Sequence, residues 1–190
     1  MRRRLARRAE PAFSVYGDDG AGREAAALTP ASVLVPIVAH AAELTVLFTQ
    51  RTAHLKSHSG QVSFPGGRAE PHDATPESTA LREAEEEIGL RSGRVEIVAR
   101  LPVYFTRTGF RITPVVGVLT PPLELAPHRG EVEEVFEVPL AFLLDPRNHR
   151  RETRDFEGRT VGFYVVQYGN RTIWGATAGM LVNLYRRLVE

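Results

Sequence analysis

The stretch FPGGRAEPHDATPESTALREAEEEIGL, residues 64–90, decides how the rest of the chain is read. It opens on a glycine pair, passes through a polar loop, and continues as a helix dense in glutamate. Thr75-Pro76-Glu77 is a helix start: a hydroxyl cap, a proline where no amide N–H is needed, then an acid in the first turn. Gly89 followed by Leu90 is the matching stop, with glycine in the left-handed position and leucine folding back. The spacing predicts a helix of about three to four turns between them.

On that helix Glu83, Glu86 and Glu87 stand at i, i+3 and i+4 and share one face. Leu81, Ala84 and Ile88 gather on another side as a packing face, while Glu85 points away. Three carboxylates on one face repel. Exposed to water they cost only about 0.2–0.5 kcal/mol per pair, so a solvated acidic face is an adequate reading of an arbitrary glutamate-rich helix. At about 6 Å in a partly buried cleft, with an effective dielectric near 20, each pair costs roughly 3 kcal/mol unless cations neutralise it.

The neighbouring residues favour the second reading. Arg82-Glu83-Ala84-Glu85-Glu86-Glu87-Ile88-Gly89-Leu90 matches R-E-U-x-E-E-x-G-U, the second half of the Nudix box, at every fixed position, and Gly66-Gly67 sits where that box begins. The chain therefore resembles the Nudix hydrolases, which cleave nucleoside diphosphates linked to another group. It departs from the common spacing G-x5-E-x7-R, because Gly67 to Arg82 is one residue too long. Counting back from Arg82 puts Ala74 at the first glutamate, and Asp73 is the nearest acid.

A second signature lies upstream. Residues 44–67, LTVLFTQRTAHLKSHSGQVSFPGG, resemble the motif of the coenzyme A pyrophosphatase branch, roughly L-L-T-x-R-[ST]-x3-R-x3-G-x3-F-P-G-G. Leu47, Thr49, Arg51, Thr52, Gly60, Phe64, Pro65, Gly66 and Gly67 fit; Phe48 replaces a leucine, and Lys56 stands where arginine is usual. Lysine there keeps the charge and loses the bidentate fork.

The resemblance implies a mixed β-sheet flanked by helices, an α-β-α sandwich, and metal-dependent hydrolysis of a diphosphate bond. It implies Mg2+ (or Mn2+) held by Glu83, Glu86 and Glu87 with the carbonyl of Gly67, and Arg82 orienting a glutamate by an ion pair. Arg51, Lys56, Gly60, Phe64 and Gly66 are the implied substrate contacts, the two cations supplying charge-assisted bonds to phosphate oxygens. The base that activates water is a box glutamate or one from a distal loop. Residues 130–140, GEVEEVFEVPL, offer Glu131, Glu133, Glu134 and Glu137; Glu131 is narrowly preferred to Glu134 and to Glu86. His54 and His58 share the upstream loop but lack metal-ligand spacing and read as solvated.

The implied substrate is coenzyme A or an acyl derivative, cleaved to 4′-phosphopantetheine and adenosine 3′,5′-bisphosphate. ADP-ribose, a dinucleotide or a damaged nucleotide is the alternative with the same chemistry. A Nudix module that senses nucleotides without cleaving them is disfavoured, because the box carboxylates are all present.

Composition is consistent with this. At 190 residues and 43% hydrophobic the chain has enough for one domain with a sizeable core, and the net charge of +1 points to neither nucleic acid nor an acidic partner. With no cysteine, disulfides, thiolate metal sites and cysteine nucleophiles are excluded. No apolar run approaches the ~18 residues of a membrane span, and the resemblance implies a cytoplasmic protein. A homodimer is neither required nor excluded. The opening MRRRLARRAE carries five arginines and one acid. It reads as a basic N-terminal tail or short helix over 1–28, followed by the Nudix hydrolase domain over 29–190.

Strands are expected at 32–38, where Pro36 suggests a sheet edge or bulge, and at 44–50, forming a hairpin with it. Further strands are expected at 94–104 and 111–119 around a Thr-Arg-Thr-Gly turn, at 132–138, and at 151–156 and 161–167 flanking Glu157-Gly158. Residues 172–174 are expected to close the sheet. A short helix is expected at 140–144 and a last one at 176–189, with Ala178, Leu181, Val182, Tyr185 and Leu188 inward and Trp174 in the core or at its hinge.

Overall fold

The computed structural model describes residues 1, 5, 15, 17, 28–53, 60–156 and 158–189. Its central strand is β1 (Thr29–Ala39), an almost unbroken apolar run because both its faces are buried. Val33, Val35 and Ile37 enter one core, while Leu34 and Val38, at alternate positions, enter the other. Along one side β1 pairs in parallel with β7 (Phe110–Leu119). Along the other it pairs antiparallel with β2 (Leu44–Arg51), but only near their turn, from Ile37↔Val46 to Ala39↔Leu44.

Beyond that point β1 and β2 diverge, and the glycine stretch fills the fork. β3 (Val62–Ser63) pairs with β2, and β4 (Gly66–Arg68) pairs with β1. At the apex the carbonyl of Pro65 accepts from the N–H of Leu34 at 2.8 Å, and the Phe64 ring stacks on Phe48 at 5.1 Å. Pro36 is therefore not at an edge, as its residue type suggests. It lies mid-strand, and its nitrogen shares the parity of Leu34. That places the missing donor in the gap between the β4 and β2 ladders, where it costs no bond.

β8 (Val132–Pro139) extends the sheet beyond β2, and β5 (Val95–Arg100) and β6 (Tyr104–Phe105) pair with β7. Among the described residues these eight strands make one mixed sheet. Helix α1 (Pro76–Ile88) covers one face, setting Ala80, Ala84 and Ile88 against Leu34, Val38 and Val115. Its cap is a capping box: Ser78 N–H donates to Thr75 Oγ1 at 3.2 Å and Thr75 N–H to Ser78 Oγ at 2.9 Å. Gly89, at φ 68°, ends it, with Leu90 N–H donating to the Ala84 carbonyl at 3.3 Å.

On the opposite face lie α2 (Leu140–Leu143), α3 (Ala176–Val189) and a second sheet. The layers are helix, sheet and helix, as expected, but one sheet does not hold every strand. β9 (Arg150–Phe156), β10 (Arg159–Tyr168) and β11 (Arg171–Trp174) form their own antiparallel meander. Each is closed locally by a hairpin, so the three need no partner in the main sheet, and Val166 and Ile173 bury their apolar side in the same core as α3. Alternation with the fully buried Ile173 sends Trp174 outward. It is 39% exposed, edge-on to Phe163, and not a core residue.

Three described residues before β1 dock on the body of the domain. Leu5 is buried in the α3 core, and its carbonyl accepts from the Arg187 guanidinium. The side-chain amide of the fully buried Asn183 holds both backbone groups of Val15, at 2.7 and 2.8 Å, and Gly17 bridges to Phe105. No helix among the described residues is long and apolar enough to cross a membrane.

Candidate active site

The fork places Gly66 and Gly67 directly against the acidic face of α1. A Cβ on Gly66 would lie 2.4 Å from the Ser32 carbonyl oxygen, and one on Gly67 would lie 2.5 Å from Glu83 Oε1. Only glycine allows backbone and carboxylate this close. The Gly66 N–H donates to Glu87 Oε2 at 3.2 Å. Arg51, at the end of β2, brings Nη1 to 3.7 Å from Glu87 Oε1, and its own Nε is buried without a partner among the described residues.

Arg82 is engaged on several sides. Its Nε and Nη2 grip both oxygens of Asp73 at 3.2 and 3.0 Å, and Nη1 donates to Glu83 and Glu86 at 3.0 Å each. Nη2 also donates to the Arg68 carbonyl at 2.9 Å, tying β4 to the helix. The Asp73 side chain is only 3% exposed, and the adjoining guanidinium holds its carboxyl far below the usual range. The same contact raises the pKa of Arg82.

Asp73 is the residue that reading the chain back from Arg82 misses. Counted forward from Gly67 it falls where the first box glutamate belongs, so the extra residue lies after it, in the loop before the Thr75 cap. The loop absorbs the insertion and the ion pair survives.

The other end of the acidic face has a different electrostatic balance. Glu87 is 5% exposed, and burial pushes its carboxyl up to about 7. The Gly66 N–H and Arg51 oppose that rise, while Glu83 and Glu131 add to it. Burial raises Glu83 as well; Arg82 opposes the rise, and Glu86 and Glu131 reinforce it. The segment leading to Glu131 is docked on the end of α1: Ala126 N–H donates to the Ile88 carbonyl at 2.8 Å and His128 N–H to the Glu87 carbonyl at 2.9 Å. Thr52 then fixes the Glu131 carbonyl at 3.0 Å.

Of the expected site residues, the fold brings Arg51, Gly66, Gly67, Arg82, Glu83 and Glu87 into direct contacts, and the charge of Glu131 adds slightly to the rise of half-buried Glu83 and buried Glu87. Glu86 is held by Arg82 and is 59% exposed. Among the described residues, no three acidic or histidine side chains already stand in metal-ligating positions. Glu134 faces the second sheet and pairs with Arg171 at 2.5 Å, while Glu137 bonds Thr45 and His40. Phe64 is buried at the fork apex, and Gly60 is exposed in a turn at φ 67°. Lys56, His54 and His58 lie outside the described residues.

Beside the glycines opens a cleft of about 270 Å3, lined by Arg51, Phe64, Arg68, Thr106, Phe110 and Met180 among others. Arg68, Thr106 and Phe110 carry no motif, and only the fold shows that they belong here.

The NUDIX domain family model matches residues 28–157. A protein of Photorhabdus laumondii described as uncharacterized Nudix hydrolase NudL is 38% identical over 158 residues, 83% of this chain and 84% of the relative. Its Escherichia coli counterpart is 39% identical over 154 residues, 81% of this chain and 80% of the relative. A Caenorhabditis elegans Ap4A hydrolase, solved as a binary complex, superposes with a TM-score of 0.51 at 20% identity, across 58% of this chain and 80% of that one, a likeness of fold. Nudix hydrolases generally use divalent metal ions. The chain belongs to the Nudix family and is a Nudix hydrolase, an enzyme that cleaves pyrophosphate bonds.

Proposed function

We propose that the enzyme hydrolyses the diphosphate bond of coenzyme A or its acyl derivatives, in the cytoplasm, with Mg2+ or Mn2+. The observation that carries the catalytic half is the pair Glu83 and Glu87, desolvated carboxylates against Gly66-Gly67, the first held by Arg82 and the second incompletely answered by Arg51. Such a donor set fits a hard divalent cation, which takes carboxylate and carbonyl oxygens and would relieve the repulsion. Glu83, Glu86, Glu87 and the Gly67 carbonyl are the proposed ligands. When bound, the cation neutralises the phosphoryl oxygens and makes a coordinated water more acidic.

The protein's own groups supply the rest. Arg82 fixes the orientation of Glu83 and Glu86 from the side of the helix away from Glu87. Glu131 is the proposed base. Glu134 is turned to Arg171 and Glu86 to Arg82, whereas Glu131 is half exposed, has among the described residues only His128 within ion-pair reach, at 4.0 Å, and acts by charge on Glu83 and Glu87. In the reaction a water oxygen bonds to one phosphorus, the bridging P–O bond breaks, and the base takes the water's proton. The products are 4′-phosphopantetheine and adenosine 3′,5′-bisphosphate. The substrate half rests on the likeness of residues 44–67 to the coenzyme A signature, with Arg51, Lys56, Gly60, Phe64 and Gly66 as proposed contacts.

The test is product analysis by mass after incubation with Mg2+ and, separately, coenzyme A, dephospho-coenzyme A, ADP-ribose and dGTP. Release of 4′-phosphopantetheine from coenzyme A well ahead of cleavage of the others is expected. Preferential cleavage of ADP-ribose or dGTP would overturn the substrate and keep the chemistry.

A further inference from the structure

Among the described residues, two guanidiniums line the cleft beside the glycines, and their circumstances differ. Arg51 has Glu87 at 3.7 Å. Arg68 is exposed and, among the described residues, has no carboxylate within ion-pair reach. Its guanidinium instead lies over the Phe110 ring, 5.8 Å from the centroid. The backbone that carries the ring is fixed: the Phe110 N–H donates to Thr106 Oγ1 at 3.0 Å, and its carbonyl accepts from the Thr106 N–H at 2.9 Å.

The backbone of Arg68 is fixed too. β4 pairs it with Ala31, and its carbonyl is held by Arg82. Strand alternation turns its side chain to the face opposite Gly67, whose Cβ direction points at Glu83. A cation with no acid partner among the described residues thus stands on the cleft wall, one residue from the carboxylate site and turned away from it. An ion pair with Glu83 or Glu87 would be the ordinary way to satisfy it, and the pleat prevents that. A guanidinium placed over a ring rather than paired with a carboxylate keeps its fork free for a phosphate.

We propose that Arg68, seated on Phe110, is the specificity-determining contact for a phosphate monoester on the ribose of the nucleotide half, distinct from the diphosphate that is cleaved. This deepens the coenzyme A reading and rests on it, because the 3′-phosphate is the monoester that substrate carries.

Two measurements test it. Calorimetry on the full-length, metal-free protein compares adenosine 3′,5′-bisphosphate with adenosine 5′-monophosphate, which differ by that phosphate alone. Steady-state kinetics with Mg2+ compares coenzyme A with dephospho-coenzyme A. The wild type is expected to prefer the 3′-phosphorylated member of each pair at least tenfold. Arg68→Ala should bring the preference to within about twofold, through KM rather than kcat. Arg68→Lys should fall between, and Phe110→Ala should weaken the preference with the cation retained. A preference kept in Arg68→Ala, or equal losses for both members of each pair, overturns the proposal. A wild type that prefers the bisphosphate yet does not cleave coenzyme A supports the subsite and refutes the proposed reaction. Cleavage of coenzyme A with no 3′-phosphate preference does the reverse.

Discussion

Helix α1 carries two clusters of charge that are built alike and balanced differently. Around Arg82, one guanidinium meets Asp73, Glu83, Glu86 and a backbone carbonyl, and the charges answer one another within the protein. Around Glu87, less than two turns along, a buried carboxylate has, among the described residues, one N–H at 3.2 Å and one guanidinium at 3.7 Å, with Glu83 and Glu131 acting against it. The first cluster joins β4, the loop and the helix. The second is under-compensated, and a site that is stable without its cation would bind that cation weakly. Attraction for a ligand and stability in its absence draw on the same charges here, with opposite sign.

The difference can be broken from either side. The largest effect is expected from Glu87→Gln or Glu86→Gln, which remove a proposed ligand charge. Turnover should fall by orders of magnitude with the fold kept, as steady-state kinetics and circular dichroism would show. At neutral pH Glu87→Gln should not melt earlier than the metal-free wild type, because it removes a desolvated charge. Near-normal turnover in a folded variant would remove these residues from the metal site.

Gly67→Ala comes next. Its methyl would meet Glu83 at 2.5 Å, so either the carboxylate or β4 must shift. A loss of about 100-fold in kcat is expected from a displacement on the order of 1 Å; a fully active variant would show that the close approach is dispensable.

On the compensated side, Asp73→Asn should cost about 2–3 kcal/mol in urea unfolding, the range for charge-assisted bonds in a nearly buried pair. Activity should fall only as far as the Glu83 and Glu86 orientations loosen. Because the carboxyl of Asp73 is depressed, its contribution is present above its unfolded value of 3.8 and is lost as pH falls below that. An unfolding free energy unchanged by the substitution would show that Arg82 can do without it.

Smallest is Gly89→Ala, which forces a side chain into φ 68°, where the Ala126 side chain and backbone are also close at 3.0 Å. About 1 kcal/mol of stability should be lost with kcat little altered, measurable as a lower melting temperature.

Much of this was legible in the residues, for reasons that are local. The caps at Thr75 and Gly89, the shared face of Glu83, Glu86 and Glu87, and Ala178, Leu181, Val182 and Leu188 on the inward side of α3 follow from short-range geometry, although Tyr185, read as inward, is half-buried and Asn183 and Leu184 are fully buried. Residues within one turn settle them. Partnership across the fold is another matter. Pro36 reads as an edge or bulge residue until the gap between the β4 and β2 ladders is seen to receive its missing donor. The meander of β9 to β11 has ordinary strand patterning, and nothing in it says that it leaves the main sheet. Trp174 reads as a core residue or the hinge of α3; alternation with Ile173 turns it out of the core, and it stays two residues before that helix. Asp73 was obscured by a single inserted residue, and Arg68 by having no motif. Its place is set by a pleat and by a ring that lies 42 positions later in the chain.

The most direct test of the under-compensated site is thermal unfolding of the wild type and of Glu87→Gln, with and without Mg2+, at pH 5.5 and pH 8. Burial raises the folded Glu87 above its unfolded value of 4.5, to about 7, so its unfavourable charge costs nothing below pH 4.5. Stability then falls as pH rises toward 7, by about 3 kcal/mol in all. Bound cation stabilises by mass action and competes with that proton. The wild type should therefore gain several degrees from Mg2+ at pH 8 and much less at pH 5.5, and Glu87→Gln should gain little at either. Equal gains in the two proteins, or none in the wild type at pH 8, would contradict the assignment of this carboxylate to a cation.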